Sequence, residues 1–256
     1  MNELLLLSLL LLTGFVAGVS NAIAGGGTFF TFPVFLAAGL PPVVANASNA
    51  IAVWPGHALA VVGYRKSLAG YGDGIGSSVL IALGGGITGA LLLTVTGNAV
   101  FVKLIPFLLL FATILFASGP ALGARLSALN AVPSLSGSGK VASIVQFVFA
   151  FYGGFFGAGL GIMYMAALHL SGVHDVQANN ALKNLLAAVV TSVAVLVFAA
   201  TGLVAWKYTL TAFSGAMVGG YAGAYIAQWM PGLWLRRIVI AFGLLLTIYY
   251  FVKYYG

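Results

Sequence analysis

The sequence predicts an all-α polytopic membrane protein with about eight transmembrane helices, two shorter helical segments and two repeated halves. Three observations predict this fold. Of the 256 residues, 62% are hydrophobic and 5% are charged, whereas about 25% of the residues in a soluble domain are charged. Apolar runs long enough to cross a bilayer recur along the chain. An order of motifs found in the N-terminal half is found again in the C-terminal half.

Eight segments hold the ~20 apolar residues that a transmembrane helix needs, or nearly so. They occupy nearly the whole chain, which leaves no room for a soluble domain of about 100 residues. The first segment resembles a signal peptide, but Glu3, the lack of a preceding Lys or Arg and its length favour a retained helix. The predicted spans are 4–24, 43–64, 75–96, 98–118, 141–157, 185–206, 208–230 and 233–252.

The two halves are predicted at 1–118 and 141–256, joined by a connecting loop at 119–140 that is rich in Gly, Ser and Pro. Each half contains a glycine cluster, a short apolar run, a turn and an Asn-bearing segment that leads into a long span. The short runs lie at 29–40 and 162–170. A run of about thirteen helical residues rises ~20 Å, less than the ~30 Å of a hydrocarbon core. Each run is therefore a half-helix or a re-entrant arm.

The predicted topology of the repeat is inverted. Five elements per half is an odd number, so the second half enters the membrane from the opposite side. With inversion, most of the Lys and Arg residues that flank the spans share one side, as the positive-inside rule requires, and both termini lie outside. Duplicated halves are common in secondary transporters, in which the substrate site forms where the repeats meet.

The repeated motif resembles a known family. The first copy is GFVAGVSNAIAGGGTFFTFPVFLAAGLPPVVANASNA at 14–50, and the second is GGFFGAGLGIMYMAALHLSGVHDVQANNALKN at 153–184, with Ala166 where Pro33 aligns. A Gly-rich motif followed by a proline and an Asn-bearing segment, within eight spans and two halves, resembles the sulfite exporter TauE/SafE family, also called the 4-toluene sulfonate uptake permease family. The resemblance covers essentially the whole chain.

The resemblance implies a multi-pass protein of a bacterial or archaeal cytoplasmic membrane. It implies transport of a small sulfur-containing anion such as sulfite, sulfoacetate, another sulfonate or thiosulfate. Transport by alternating access follows from the predicted repeat. The direction, the anion and the coupling ion do not follow from the sequence.

The two glycine clusters are the first candidates for an anion site. Free N–H groups and the dipole of a helix N-terminus attract an anion without a mobile charge, and glycines let the chain break within the membrane. We therefore predict that each cluster opens a half-helix at the substrate site. Close helix packing is the alternative, because small-xxx-small spacing also fits it. The predicted substrate-binding residues here are Asn21, Gly25, Gly26, Gly27, Thr28, Gly157, Gly159 and Gly161.

The two Asn-bearing segments add amides, which donate hydrogen bonds to an oxyanion without adding charge. Asn46 and Asn49 share a helix face, Asn179 is the gapless counterpart of Asn46, and Lys183 is the one cation within the repeated motif. Interhelical bonds, helix caps and snorkelling of the lysine are the alternatives. The predicted substrate-binding residues of these segments are Asn46, Asn49, Asn179, Asn180, Lys183 and Asn184.

His57 and Pro55 are predicted to serve gating or coupling. Both belong to the motif WPGHAL near the middle of the 43–64 span. The proline removes a backbone hydrogen bond and favours a kink, and a histidine can carry a proton. The alternative for His57 is a hydrogen-bonded packing residue.

Cysteine content, histidine spacing and the distribution of basic residues limit the cofactors and binding partners that the chain can have. No cofactor or metal site is predicted, because the chain has no cysteine and its three histidines lack ligand spacing. The ten Lys and Arg residues form no basic stripe, so the lipid bilayer and a small anion are expected and nucleic acid is not. The small-residue face Gly215/Gly219/Gly223 predicts either internal packing or pairing of two copies as a homo-oligomer.

Transport is not the only function that such a chain can have. An intramembrane enzyme needs a nucleophile with a base, or paired acids, within the membrane, and the three acids lie at the N-terminus and in predicted loops. The sequence therefore predicts no enzyme. A non-transporting partner or assembly subunit is the other alternative.

Overall fold

In a computed structural model, the protein is a bundle of α-helices. The structure describes residues 2–23, 25–68, 75–128, 140–170, 173, 175–226 and 232–256, and these contain helices and no strand. The helices are α1 (Glu3–Ile23), α2 (Thr28–Ala37), α3 (Pro42–Gly63), α4 (Arg65–Leu68), α5 (Ile75–Val95), α6 (Asn98–Ala128), α7 (Lys140–Phe155), α8 (Leu160–Leu170), α9 (Val176–Ala200), α10 (Trp206–Ile226) and α11 (Gly232–Tyr255).

The predicted all-α polytopic membrane fold is confirmed. Among the described residues, five helices are long and apolar enough to cross a membrane, judged by length and composition: α1, α5, α9 and the greater parts of α6 and α11. Helices α3, with 22 residues, and α10, with 21, have a similar length. The full set of eight crossings remains a prediction.

The two short runs form short helices. Helix α2 has ten residues and α8 has eleven, which corresponds to a rise of about 15–17 Å. Neither can cross a bilayer core alone. A break separates α1 from α2, and a second break separates α7 from α8.

Helix α9 differs most from its predicted span of 185–206. It begins at Val176, because the Asp175 side chain accepts a hydrogen bond from the Ala178 backbone N–H at 2.7 Å and caps the first turn. It ends at Ala200, before Gly202 with a φ of 72°. The Asn-bearing segment therefore belongs to the helix rather than leading into it.

Helix α6 extends to Ala128, so 119–128 is helical rather than part of the predicted connecting loop. Its sequence, GPALGARLSA, includes Ala, Leu and Arg, which are good helix formers. The rest of that predicted loop, 129–139, lies outside the described residues.

The helices of the two halves are interlocked. Helix α1 packs along α10, and α7 packs along α5; α3 contacts α10, and α9 contacts α5. Helix α3 also packs against α9, and α6 against α11. If α1, α3, α5 and α6 are matched to α7, α9, α10 and α11, the α1–α10 contact corresponds to α7–α5 and the α3–α10 contact to α9–α5, while α3–α9 and α6–α11 each correspond to themselves. This pattern supports the predicted repeat, and it places α3 and α9 together at the centre.

Small residues bring α1 and α10 into close contact. A Cβ at Gly223 would lie 2.8 Å from the Val19 Cα, and Gly215 and Gly219 lie against the α1 backbone in the same way. The predicted glycine face of α10 is thus used for packing within one chain.

Candidate functional site

The two breaks meet each other. At the first break Gly25 and Gly26 have φ values of 81° and 90°, and at the second Gly157 and Gly159 have values of 80° and 79°. These values lie in the left-handed region, which glycine adopts without steric cost. A Cβ at Gly25 would lie 2.8 Å from the Cα of Gly161, the first-turn glycine of α8. The two predicted glycine clusters are therefore in backbone contact.

The two breaks also share a hydrogen-bond pattern. Gly25 donates its N–H to the Ser20 carbonyl at 2.8 Å, and Gly157 donates to the Tyr152 carbonyl at 3.2 Å. In each case a left-handed glycine bonds to the carbonyl five residues before it, which closes the preceding helix. The chain then turns into α2 or α8.

Phe116 of α6 covers both breaks. A Cβ at Gly159 would lie 3.5 Å from the Phe116 ring, and Gly26 lies against the same ring. The ring is fully buried and meets Phe29 edge to face at 5.7 Å. Sequence reasoning missed Phe116, because one phenylalanine in an apolar helix carries no distinguishing signal.

Asn21, the third-last residue of α1, connects several parts of the first break. Its Oδ1 accepts a hydrogen bond from the Gly27 N–H at 2.7 Å. Its backbone carbonyl accepts one from Lys183 at 3.2 Å. Its Nδ2 is buried and has no partner within the described part of the chain. Asn21 therefore offers one unused donor beside the N-terminus of α2.

Lys183 is fully buried. Its Nζ donates to the carbonyl oxygens of Asn21, Ala22 and Ile23, each at 3.2 Å. These are the last three residues of α1, whose carbonyls have no partner within their own helix. An ammonium has three N–H donors, so every donor of Lys183 is used at the negative end of the α1 dipole.

Asn184 links His57 to Lys183 indirectly, because Asn184 and Lys183 both donate to the Ala22 carbonyl. Its Nδ2 donates to the carbonyls of Ala22 at 3.3 Å and Asn180 at 2.9 Å, which leaves its Oδ1 facing the His57 Nδ1 at 3.3 Å. Since Oδ1 can only accept, His57 carries a proton on Nδ1. Lys183, predicted to bind substrate, and His57, predicted to serve gating or coupling, thus belong to one buried polar network, and α3 remains helical through Pro55.

The other predicted amides hold helices together. Asn46 donates to the Phe155 carbonyl, the last of α7, at 2.9 Å. Asn49 donates to Thr28 at 3.3 Å and accepts a hydrogen bond from Thr31, both in α2. Asn46 therefore crosses to the other half, whereas Asn49 stays within its own.

In the second half, Asn179 donates to the carbonyls of Met165, in the middle of α8, at 3.2 Å and Val173, in the turn into α9, at 3.1 Å. Three buried acceptors near these helices have no partner among the described residues: the Oδ1 atoms of Asn46, Asn179 and Asn180.

No side-chain carboxylate contacts Lys183 within the described ranges. Glu3 pairs with Lys207 where both side chains are exposed, and Asp175 caps α9. Asp73, the third acid, lies outside the described residues. The buried ammonium is held by neutral carbonyls alone, which leaves a net positive charge beside the two breaks.

Arg236 of α11 supports the helix that carries Phe116. Its Nε donates to the Phe116 carbonyl at 2.7 Å, and a terminal nitrogen donates to the Ala117 carbonyl at 2.9 Å. Pro120 has no N–H, so the Phe116 carbonyl lacks its usual helical partner. Sequence reasoning missed Arg236 and placed Pro120 in a loop; the proline could have indicated a free carbonyl four residues earlier only if 119–128 had been predicted as helix. The described residues contain no His, Cys, Asp and Glu group that could hold a metal.

Comparison with known proteins agrees with this architecture. A sequence model described as sulfite exporter TauE/SafE matches residues 10–250. A probable membrane transporter protein of Haemophilus influenzae is 29% identical, with 94% of this chain and 93% of that protein covered. The probable membrane transporter protein ORF9 of a Sinorhizobium species is 27% identical, with 95% and 91% covered.

The probable membrane transporter protein YfcA of Escherichia coli K12 is 29% identical, with 86% of this chain and 80% of that protein covered. No solved structure matches the chain. The family match spans nearly the whole length of a multi-pass helical membrane protein. The chain belongs to the sulfite exporter TauE/SafE family.

Proposed function

We propose that the chain is a secondary transporter, not an enzyme, that moves a small sulfur-containing anion across the cytoplasmic membrane by alternating access. The anion binds where the two breaks meet, beside the Asn21 side chain and the N-terminus of α2. One observation carries this proposal: the Lys183 ammonium is buried at this point with no carboxylate facing it among the described residues. A buried charge without a counter-ion is costly, and a bound anion offsets that cost.

The neighbouring groups suit an anion. Gly27 caps α2, whose N-terminus is the positive end of a helix dipole. The Asn21 Nδ2 is a buried donor with no protein partner within the described ranges. Lys183 supplies attraction through its charge and not through a direct bond, because its three donors are used by α1. Such a site binds an anion without a direct salt bridge, which favours release.

The family description supports the substrate class. It names sulfite export, and sulfite, sulfonates and thiosulfate share a compact sulfur centre with negatively charged oxygens. The breaks support the mechanism, because irregular backbone within a membrane protein is tolerated where it is buried or lines a cavity. Corresponding helices of the two halves make corresponding contacts. Two related arrangements of these helices could therefore open the site to one side of the membrane or to the other.

Flux measurements test this proposal. Purified protein is reconstituted into proteoliposomes, and uptake of labelled sulfite, sulfoacetate and thiosulfate is measured for the unmodified protein and for Asn21→Asp. The aspartate keeps an acceptor for the Gly27 N–H but removes the unused donor and adds a negative charge. We expect flux of at least one anion in the unmodified protein and its loss in the variant.

Gln146→Glu is the matched control, because the Gln146 Nε2 on α7 is another buried donor without a partner among the described residues. The control is expected to retain flux. Flux of all three anions equal to that of empty liposomes would contradict the proposed function and favour a non-transporting partner subunit. Equal loss in both variants would contradict only the site.

A further inference from the structure

The Lys183 amino group occupies a place that resembles a site for a bound monovalent cation. Three backbone carbonyl oxygens surround it at 3.2 Å, all from the C-terminal turn of α1. The positive charge is tethered to α9, while the carbonyls belong to α1. The contact therefore joins a helix of one half to a helix of the other through a single charged group.

We propose that Lys183 carries the coupling proton of the transport cycle, so that each anion moves together with one proton. This inference rests on the proposed function, because it assigns the coupling ion of the same site. With the anion bound, the negative charge stabilises the ammonium. After the anion leaves, the ammonium is a lone buried charge, which is costly in a membrane protein.

Loss of a proton changes the number of hydrogen bonds that Lys183 can donate. One Nζ–H bond breaks, its electron pair stays on nitrogen as a lone pair, and the proton passes to water on the side to which the site is open. The product is a neutral amine with two N–H donors. The amine can keep at most two of the three Lys183 bonds, and its new lone pair repels the carbonyl that loses its donor, even though Ala22 keeps a second bond from Asn184. Loss of the proton therefore loosens the contact between α9 and the end of α1.

The helices packed against α9 contribute few groups that can titrate. Helix α5 has none in its sequence, and α9 has only Lys183 within the helix and Asp175 at its N-cap, two turns before Lys183. Among the described residues, His57 is the titratable side chain that contacts this network, through Asn184. The charged or titratable groups on the packed helices and their ends, among the described side chains, are Glu3, His57, Tyr64, Arg65, Lys66, Tyr152 and Tyr164.

His57 does not exchange protons directly with Lys183. The Asn184 amide lies between them, with its Oδ1 towards His57 and its Nδ2 towards the Ala22 carbonyl. An amide in this orientation accepts on one side and donates on the other, and it has no proton to release in exchange. The proton on Lys183 can therefore change while the His57 bond is kept.

Lysine is suited to this role and arginine is not. A buried lysine can exist as a neutral amine because burial disfavours its charged form, whereas an arginine side chain stays charged in proteins. Lys183→Arg therefore keeps the positive charge and several donors for the α1 carbonyls but cannot release a proton. Lys207→Arg, at the exposed end of α10, is the matched control because Lys207 contacts Glu3 and not the breaks.

The experiment measures proton movement in proteoliposomes that contain a pH-sensitive dye, with the membrane potential clamped by potassium and valinomycin. Thiosulfate and sulfoacetate are the probes because both stay fully ionised around neutral pH, so that any proton movement belongs to the protein. We expect an inward anion gradient to acidify the lumen. We also expect an acidic outer solution to drive net anion uptake when anion concentrations are equal on both sides.

Lys183→Arg is expected to lose both responses while the anion still raises its melting temperature, and Lys207→Arg is expected to keep them. Anion flux in the unmodified protein with no change of lumenal pH would overturn proton coupling and leave the proposed function standing. Proton-coupled flux in Lys183→Arg would overturn the assignment of the coupling proton to Lys183. No flux of either anion would overturn proton coupling of these two substrates, and no flux of sulfite as well would overturn the proposed function.

Discussion

The two breaks use the same backbone geometry but neutralise the preceding helix end differently. At each break, left-handed glycines close one helix and lead into a short one. At the end of α1, the Lys183 ammonium binds three carbonyls. At the end of α7, the Asn46 amide binds the Phe155 carbonyl alone. The two breaks thus share their backbone geometry, but among the described residues a buried charged side chain binds the helix end at the first break and a neutral amide does so at the second.

This difference indicates how a repeated framework can hold a single anion site. A second buried lysine at the α7 end would add a like charge close to the first, and like charges in a low-dielectric environment repel strongly. An amide satisfies the same carbonyl without charge. We therefore expect the first break to be the electrostatic site, whereas the second supplies backbone that packs against it at Gly161.

Removing the ammonium is expected to have the largest effect. Lys183→Met leaves the buried carbonyls of Asn21 and Ile23 without a side-chain donor, leaves Ala22 with its bond from Asn184, and removes the positive charge proposed to attract the anion. We expect loss of anion flux and a decrease in the free energy of unfolding of about 3 kcal/mol or more. Flux in proteoliposomes and thermal unfolding in detergent measure the two effects. Normal flux in a folded Lys183→Met protein would show that the charge is not needed.

Adding a methyl group at the contact of the two breaks is expected to have the next largest effect. Gly25→Ala places a Cβ in the left-handed region and against the Gly161 backbone, whereas Gly39→Ala has the same φ of 81° and nothing within 4 Å. Left-handed strain alone costs about 1–2 kcal/mol. We expect Gly39→Ala to show only that cost and Gly25→Ala to exceed it in chemical denaturation. Equal costs would argue against tight contact between the breaks.

Removing the amide at the second break is expected to have a smaller effect than removing the ammonium at the first. Asn46→Leu leaves one buried carbonyl, that of Phe155, without its donor, which costs about 1–3 kcal/mol. We expect a lower melting temperature with anion flux retained. If Asn46→Leu lost as much flux as Lys183→Met, both breaks would contribute to anion binding. An anion site at the first break alone would then be contradicted.

The smallest effect is expected outside the breaks. Arg236→Gln removes the donors to the Phe116 and Ala117 carbonyls, but the arginine is partly exposed, so water can replace part of the interaction. We expect a cost of about 0.5–1.5 kcal/mol in the free energy of unfolding. The neighbouring exposed Arg237, whose guanidinium lies 5.5 Å from the Trp234 ring, provides the control as Arg237→Gln. A smaller cost at Arg236 than at Arg237 would contradict a supporting role.

The fold class and both breaks could be predicted from the sequence because their signals are local. Long apolar runs predict membrane helices, and a glycine cluster followed by a short apolar run predicts a break. Consecutive glycines alone do not, because Gly84, Gly85 and Gly86 continue within α5. The start of α9 was missed because Asn180, Lys183 and Asn184 lower the local hydropathy, which hides nine residues of a helix that Asp175 caps. Buried polar residues therefore shorten a span that is predicted from hydropathy.

The partners of the site residues could not be predicted. Lys183 binds backbone carbonyls of α1, and every residue carries such a carbonyl, so the sequence does not mark which ones are used. Asn46 and Asn179 align in the repeat, yet one bonds across to α7 and the other within its own half. A short sequence match shows that two positions correspond, but packing determines what each side chain contacts.

Crystals of the protein soaked with selenite, the selenium analogue of sulfite, test the location of the anion most directly. Selenium scatters X-rays anomalously, so its position can be found independently of the protein density. We expect one selenium peak within contact of the Asn21 Nδ2 and the N-terminus of α2, beside Lys183, and its loss in Asn21→Asp. A peak at Asn46 and the end of α7, with none beside Asn21, would contradict an anion site at the first break.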